Sequence, residues 1–231
     1  MASGIDSPLT VILSAIPNLT LKRVLDVGCG SGGLAGLLAA QGAMVTGIDP
    51  NPFAIQQARD LVPMAEFREA GADSIPFRDA SFDAVAVVNT LHHVPIAAMR
   101  QSLGEMARVL RPDGRLIVIE PLATGSFFEA LQLVEDESLV RQAAQRALED
   151  VMNSGLLVRE ETISYVRRET YADVDGFLAR IIAVDHARAH IVSNNLKAIT
   201  QAVQAAACLD SGGGLVLDQP IKADVLRVIK N

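Results

Sequence analysis

Residues Val24-Leu25-Asp26-Val27-Gly28-Cys29-Gly30-Ser31-Gly32 constrain the fold of this chain more than any other stretch. An apolar strand runs into an acidic residue, glycine then recurs at every second position, and a helical pattern begins at once. Glycine lets the chain turn sharply out of a strand and lets backbone approach a ligand with no Cβ between them. The helix that follows directs its partly positive N-terminus at the same point. Together these features predict an α/β fold with a cradle for a nucleoside-containing cofactor at the carboxyl end of the strand.

The pattern up to residue 120 repeats that unit. Val24–Val27, Met44–Ile48, Ala65–Glu69, Phe82–Val88 and Arg115–Ile119 read as strands, and Leu34–Ala40, Pro52–Leu61 and Ala97–Leu110 as helices. Leu34, Leu37 and Leu38 are expected on the buried face of the first helix, and Met99, Leu103, Met106 and Leu110 on that of the third. Pro112-Asp113-Gly114 reads as the turn before the fifth strand. Such alternation predicts a doubly wound, mostly parallel, seven-stranded Rossmann-like sheet.

Beyond Glu120 the rhythm changes. Phe127 to Met152 reads as one long helix or two, with Phe127, Leu131 and Val134 at helical spacing, and Leu157 to Arg168 as a sixth strand. Ile191 to Cys208 is helical, with Leu196, Ile199 and Val203 on one face. Gly212-Gly213-Gly214 interrupts the chain before Leu215–Leu217, and Ile221–Ile229 supplies a closing strand or hairpin. The expected organisation is one domain over 1–231. It comprises an N-terminal cap (1–21), a cofactor-binding core (22–120), a helical cover with the sixth strand (121–212) and a closing segment (213–231).

Composition narrows the function classes. Twenty basic against 27 acidic residues give a formal charge of −7, which argues against a nucleic-acid surface. Two cysteines argue against a disulfide framework. Residues 1–20 lack the pattern of a signal peptide, and no apolar run has the length of a membrane span. A reducing, cytoplasmic setting is the expectation.

Two motifs overlap in the glycine loop. Gly28, Gly30 and Gly33 spell G-x-G-x-x-G, the dinucleotide fingerprint. Asp26, Gly28, Gly30 and Gly32 spell D-x-G-x-G-x-G, which resembles the first motif of class I S-adenosylmethionine-dependent methyltransferases. A carboxylate two residues before the first glycine is poorly placed beside a pyrophosphate and well placed beside a sulfonium and an amino-acid zwitterion. The alternative is that Asp26 only ties down the loop. Asp49, about 20 residues after the loop, suits ribose hydroxyls or the N-cap of the next helix, and does not separate a methyl donor from NAD.

Ala70-Gly71-Ala72-Asp73-Ser74-Ile75-Pro76-Phe77, with Ser81-Phe82-Asp83-Ala84-Val85, resembles the A-D-x-x-P-F…S-F-D-x-V segment of ubiquinone- and menaquinone-type methyltransferases. That resemblance implies that Asp73 receives the adenine amino group and the Ser74 N–H a ring nitrogen; a plain turn is the alternative. Asn89-Thr90 is similar to the segment facing the methionine part of the donor. Arg108–Leu116 is similar to the family's helix-turn-strand signature before strand five. The resemblance covers residues 22–120 and implies S-adenosyl-L-methionine as cofactor and S-adenosyl-L-homocysteine as product. Its cofactor-binding set is Asp26, Gly28, Cys29, Gly30, Gly32, Asp49, Pro50, Asp73, Ser74, Asn89 and Thr90.

In-line methyl transfer mainly requires alignment, with a base only where the acceptor carries a proton that must leave. His92 and His93 are the candidate bases. If that segment is extended, only one of them faces the cleft; His93 is favoured over His92, with a histidine that only organises the loop as an equal alternative. Glu120 either lines the acceptor pocket or is a solvated loop carboxylate. His186 and His190 share a helical spacing but have no third partner at metal-ligand spacing, so no metal is expected. No N-P-P-Y type motif follows the fourth strand. The expected acceptor is therefore a small, partly hydrophobic molecule, and a homodimer is a compatible assembly. An NAD-dependent oxidoreductase and a non-catalytic S-adenosylmethionine-binding protein are the competing readings.

Overall fold

A computed structural model describes residues 5–229; residues 1–4 of the expected cap and 230–231 of the closing segment lie outside the described residues. After a short helix α1 (Pro8–Ala15), the chain alternates through β1 (Arg23–Val27), α2 (Gly33–Ala40), β2 (Met44–Asp49), α3 (Pro52–Leu61), β3 (Glu66–Glu69), β4 (Phe82–Val88), α4 (Met99–Val109) and β5 (Leu110–Pro121). Then follow α5 (Ser126–Leu131), α6 (Ser138–Asn153), β6 (Leu157–Tyr171), α7 (Val174–Val184), α8 (Arg188–Ala206), the two-residue β7 (Cys208–Leu209) and β8 (Leu215–Val228).

The strands pair in the order β3-β2-β1-β4-β5-β8-β6, with β7 pairing antiparallel to β8. The first five pair in parallel. The chain leaves β1 toward β2 and β3 on one side, then returns to add β4 and β5 on the other. That reversal opens a crevice at the carboxyl ends of β1 and β4, where this class of sheet holds ligands. β1 and β4 are buried along nearly their whole length, as valine- and alanine-rich strands covered on both faces must be.

The chain divides into two compact units. One holds the described residues up to Glu120, with Ala143–Ser164 and those from Lys222 on. Its core joins Leu25, Val27, Val85 and Val87 of the sheet to Met99, Leu103 and Met106 of α4 and to Ala144 and Leu148 of α6. The other unit, Pro121–Gln142 and Tyr165–Ile221, packs Leu131, Phe177, Ile199, Val203 and Leu217 into its own core. Within this second unit Arg141 and Glu137 form a buried ion pair, and the Arg141 guanidinium also reaches the Leu122 carbonyl and the buried Gln219 side chain. No helix among the described residues is long and apolar enough to cross a membrane.

Several expected elements differ in detail. Leu38 is buried as expected, but Leu37 is exposed and Leu34 half-buried, and Ala35 is buried beside Leu38. The turn at Pro112-Asp113-Gly114 lies inside β5, with Asp113 at φ 65°. Phe127–Met152 resolves into α5 and α6. Leu196 is exposed although Ile199 and Val203 are buried, because Asn195 leaves helical geometry (φ −125°) and kinks α8 one residue before it. The expected sixth strand extends to Tyr171, and Leu215–Leu217 is continuous with the closing strand in β8.

Candidate functional site

A cavity of about 410 Å³ opens at the carboxyl ends of β1, β2 and β4. Its lining brings together Gly28, Asp49, Pro50, Asp73, Asn89, Thr90 and His93, with Ala70, Ala72, Val94 and Pro95 among the apolar walls. Asp26, Cys29, Gly30, Gly32, Ser74 and His92 do not line it.

The glycine loop is shaped by backbone conformation. Gly28, Gly30 and Gly32 all have positive φ (72°, 52° and 84°), a region L side chains resist. A Cβ on Gly28 would stand 2.2 Å from the Thr90 side chain, whereas one on Gly30 would meet nothing within 4 Å. Four of the loop's N–H groups are engaged within the protein. Gly28 and Cys29 donate to the Ile48 carbonyl, Gly32 donates to the Cys29 carbonyl, and Gly30 donates to the Asp49 carboxylate at 3.0 Å. Asp49 also accepts from the Asn51 N–H. The N-cap of α3 is Asn51, whose side chain accepts from Phe53 and Ala54, so the capping alternative for Asp49 falls away.

Asp26 lies behind the loop, opposite Gly47 on β2 and Ala86 on β4. It is 2% exposed, and one carboxylate oxygen, Oδ2, has no hydrogen-bond partner. Burial, reinforced by the Asp49 charge, pushes its pKa up to about 7 against a backbone hydrogen bond from Ala35. The same burial and the same two carboxylates push the Cys29 thiol up to about 12. Cys29 is therefore a neutral packing group, since only the thiolate is a competent nucleophile.

The segment after β4 is held by one carboxylate. Asn89 takes a left-handed conformation (φ 50°) and donates its N–H to Ile119; asparagine tolerates that region better than most residues. The chain then makes a 3-10 turn over Leu91–His93, which leaves consecutive N–H groups without helical partners. Glu120, 1% exposed at the end of β5, accepts them from Thr90 (2.9 Å), Leu91 (2.8 Å) and His92 (3.4 Å). It also hydrogen-bonds the buried His92 ring at Nδ1. Glu120 is thus neither solvated nor among the cavity's lining residues; it fixes the turn that carries His93 to the cavity wall. His92 faces the protein interior, so the two histidines do separate, by a 3-10 turn rather than by strand alternation.

A second clamp positions the Asp73 loop. Arg108 donates to the carbonyls of Ile75 and Phe77 and to the carboxylates of Asp79 and Glu105, and Glu105 in turn accepts from the Ile75 N–H. The Arg108–Leu116 signature and the Asp73–Phe77 signature therefore hold one another in place. The Asp73 carbonyl accepts from Gln101, and exposed Ser74 donates its N–H to Gly71.

Residues 25–118 match a family described as a methyltransferase domain. The chain is 42% identical over 103 residues to the phthiotriol/phenolphthiotriol dimycocerosates methyltransferase of Mycobacterium leprae (strain TN). It is 41% identical over 102 residues to the demethylmenaquinone methyltransferase of Tropheryma whipplei (strain Twist). Each match takes in 43% of this chain, and the chain spans 37% and 41% of those relatives' own lengths. Among solved structures, a Bacillus halodurans C-125 protein thought to be a methyltransferase superposes with a TM-score of 0.65. That match covers 94% of this chain and 97% of the other at 19% identity, a likeness of fold. With this sheet and these matches, residues 25–118 are similar to methyltransferase domains and the chain has the Rossmann-like fold of such proteins.

Proposed function

We propose that the chain transfers a methyl group from S-adenosyl-L-methionine to a small, partly hydrophobic acceptor and releases S-adenosyl-L-homocysteine. The carrying observation is the chemistry of the cavity. Asp49 and Asp73 line it, and no lysine or arginine does among the described residues. The amides of Gly28, Cys29, Gly30 and Gly32 are already engaged within the protein. A dinucleotide calls on such amides for its pyrophosphate, so the site suits a cofactor without phosphate.

In this reading Asp49 receives the ribose hydroxyls, and Pro50 and Asp73 bound the adenine, while Ser74, its N–H donated to Gly71, stands off the cavity. Asn89 and Thr90 meet the methionine part, and Asp26 contributes a buried carboxylate beneath the loop. The donor supplies a methyl carbon on a positively charged sulfur, which leaves as a neutral thioether. The protein's part is to align the acceptor atom with that carbon in an apolar cleft, where orientation supplies about 7–11 kcal/mol. His93, on the cavity wall, takes the acceptor's proton where there is one to lose. The two cysteines are unpaired, in keeping with a reducing cytoplasmic setting.

Parallel calorimetric titrations with S-adenosylmethionine, S-adenosylhomocysteine and NAD test the reading. The two sulfur nucleosides are expected to bind and NAD not; binding of NAD alone would overturn it. Asp49→Ala is expected to weaken S-adenosylhomocysteine binding by about 1–3 kcal/mol, the scale of a lost charge-assisted hydrogen bond. Gly30→Val, which puts a β-branched side chain at φ 52° in the loop whose Gly30 N–H holds the Asp49 carboxylate, is expected to cost more than about tenfold in affinity, or 1.4 kcal/mol. Unaltered affinity in a folded Gly30→Val protein would sink the cradle.

A further inference from the structure

Strand β6 ends the sheet order, so one of its edges carries backbone N–H and C=O groups with no neighbouring strand among the described residues. Proteins usually blunt such an edge with charge, and this one is heavily charged: Arg159-Glu160-Glu161-Thr162-Ile163-Ser164-Tyr165-Val166-Arg167-Arg168-Glu169. The order of those charges is not arbitrary. Read outward from Ser164, every basic residue on one side has an acidic residue at the same distance on the other.

We propose that this edge is a homodimer interface, in which two copies of the chain pair antiparallel through β6 about a twofold axis at Ser164. The sheet then continues from one copy into the other, an isologous contact of the kind most dimers use. Arg159 faces Glu169 of the second copy, Glu160 faces Arg168, and Glu161 faces Arg167, each pair occurring twice by symmetry. Thr162 faces Val166, an exposed apolar residue, and Ile163 faces Tyr165. Opposed residues lie on the same side of the sheet, so each pairing joins residues of like face.

The charges select this register against its neighbours. Moving the axis to Ile163 sets Arg159 against Arg167, and moving it to Tyr165 sets Glu161 against Glu169. Like charges placed directly opposite destabilise a strand pair, so the sequence specifies the register rather than merely repelling strands. Within one copy Arg159, Glu160, Arg167, Arg168 and Glu169 already have ion partners; the second copy adds a further opposite charge to each. Glu161 is exposed and has no ion partner within the chain among the described residues. This inference is independent of the methyl-transfer reading.

Sedimentation velocity on the whole chain tests it. The wild type is expected to dimerise, and Glu161→Arg or Arg167→Glu to raise the dissociation constant roughly tenfold or more, since each reverses two symmetry-related pairs. An equimolar mixture of the two variants is expected to regain the dimer that neither forms alone, because each then offers the charge the other needs. A cross-link reads the register without charge reversal. In a Cys208→Ser background, Ser164→Cys is expected to form an intermolecular disulfide, because residues at a twofold pair approach to about 4.5–5.5 Å between Cα atoms. Val166→Cys is expected not to. A wild type that stays monomeric at its highest soluble concentration overturns the proposal. So does a dimer indifferent to both charge reversals, or cross-linking at 166 instead of 164.

Discussion

Arg141→Ala is expected to lower the stability of the chain by about 3–5 kcal/mol, the cost of breaking a buried ion pair from one side. Arg141 is 5% exposed and Glu137 7%. Two guanidinium nitrogens donate to one Glu137 oxygen, at 2.9 and 2.6 Å. A third donates to the Leu122 carbonyl and to Gln219 Oε1, both at 2.9 Å. Its Cζ lies 5.1 Å from the Phe128 ring centroid. Alanine removes all of these donors and leaves the Glu137 charge in the protein interior without its counterion. Removing both partners, as Arg141→Met with Glu137→Leu, is expected to cost markedly less, because no orphan charge remains. Urea denaturation of the two single variants and the double variant gives the comparison. A single-variant loss below about 1 kcal/mol, the range of exposed pairs, would mean that water reaches the pair.

The second large effect concerns Asp26 and carries a definite sign. Its pKa is raised in the folded state from 3.8 to about 7, so between those values the native protein holds a proton that the unfolded chain releases. Stability therefore falls as pH rises from about 4 to about 7 and levels off above. At 1.36 kcal/mol per unit the full span is on the order of 4 kcal/mol. Asp26→Asn keeps the shape and removes the titration. The stability difference, variant minus wild type, is expected to grow by roughly that amount between pH 4 and pH 8. Its absolute level is set lower by the new amide, which needs a partner where Oδ2 has none. Thermal melts of both proteins across that range measure the difference. A flat difference would show that Asp26 is ionised throughout, with water at its free oxygen.

How much of this was legible beforehand differs from element to element. The β1 loop and Asp49 follow from spacing, because strand, glycine and carboxylate each leave a local mark, whereas the Asn89-Thr90 corner is marked only by the family resemblance. Glu120 left none: a single acid at the end of an apolar strand looks the same whether it meets water or three backbone amides. Its signal lay 28 to 30 residues upstream, in a turn after β4 that needed an acceptor. Leu196 was assigned to the buried face because periodicity assumes an unbroken helix, and nothing local betrays the kink at Asn195. The charges of β6 read as a solvated face when taken singly. Only their symmetry about Ser164, which no window of hydropathy measures, distinguishes them from an ordinary blunted edge.

The engaged amides of the glycine loop bear on how quickly the proposed site could be reused. A loop that waits for its ligand to satisfy its backbone must be ordered afresh at each binding event, and the ordering entropy is subtracted from affinity every time. Here that cost is met once, when β1 and β2 come together and Ile48 and Asp49 accept the loop's N–H groups. In the proposed reaction a spent nucleoside would leave and a fresh one enter the same cradle. With the amides of Gly28, Cys29, Gly30 and Gly32 already held, that exchange would not require the loop to be remade.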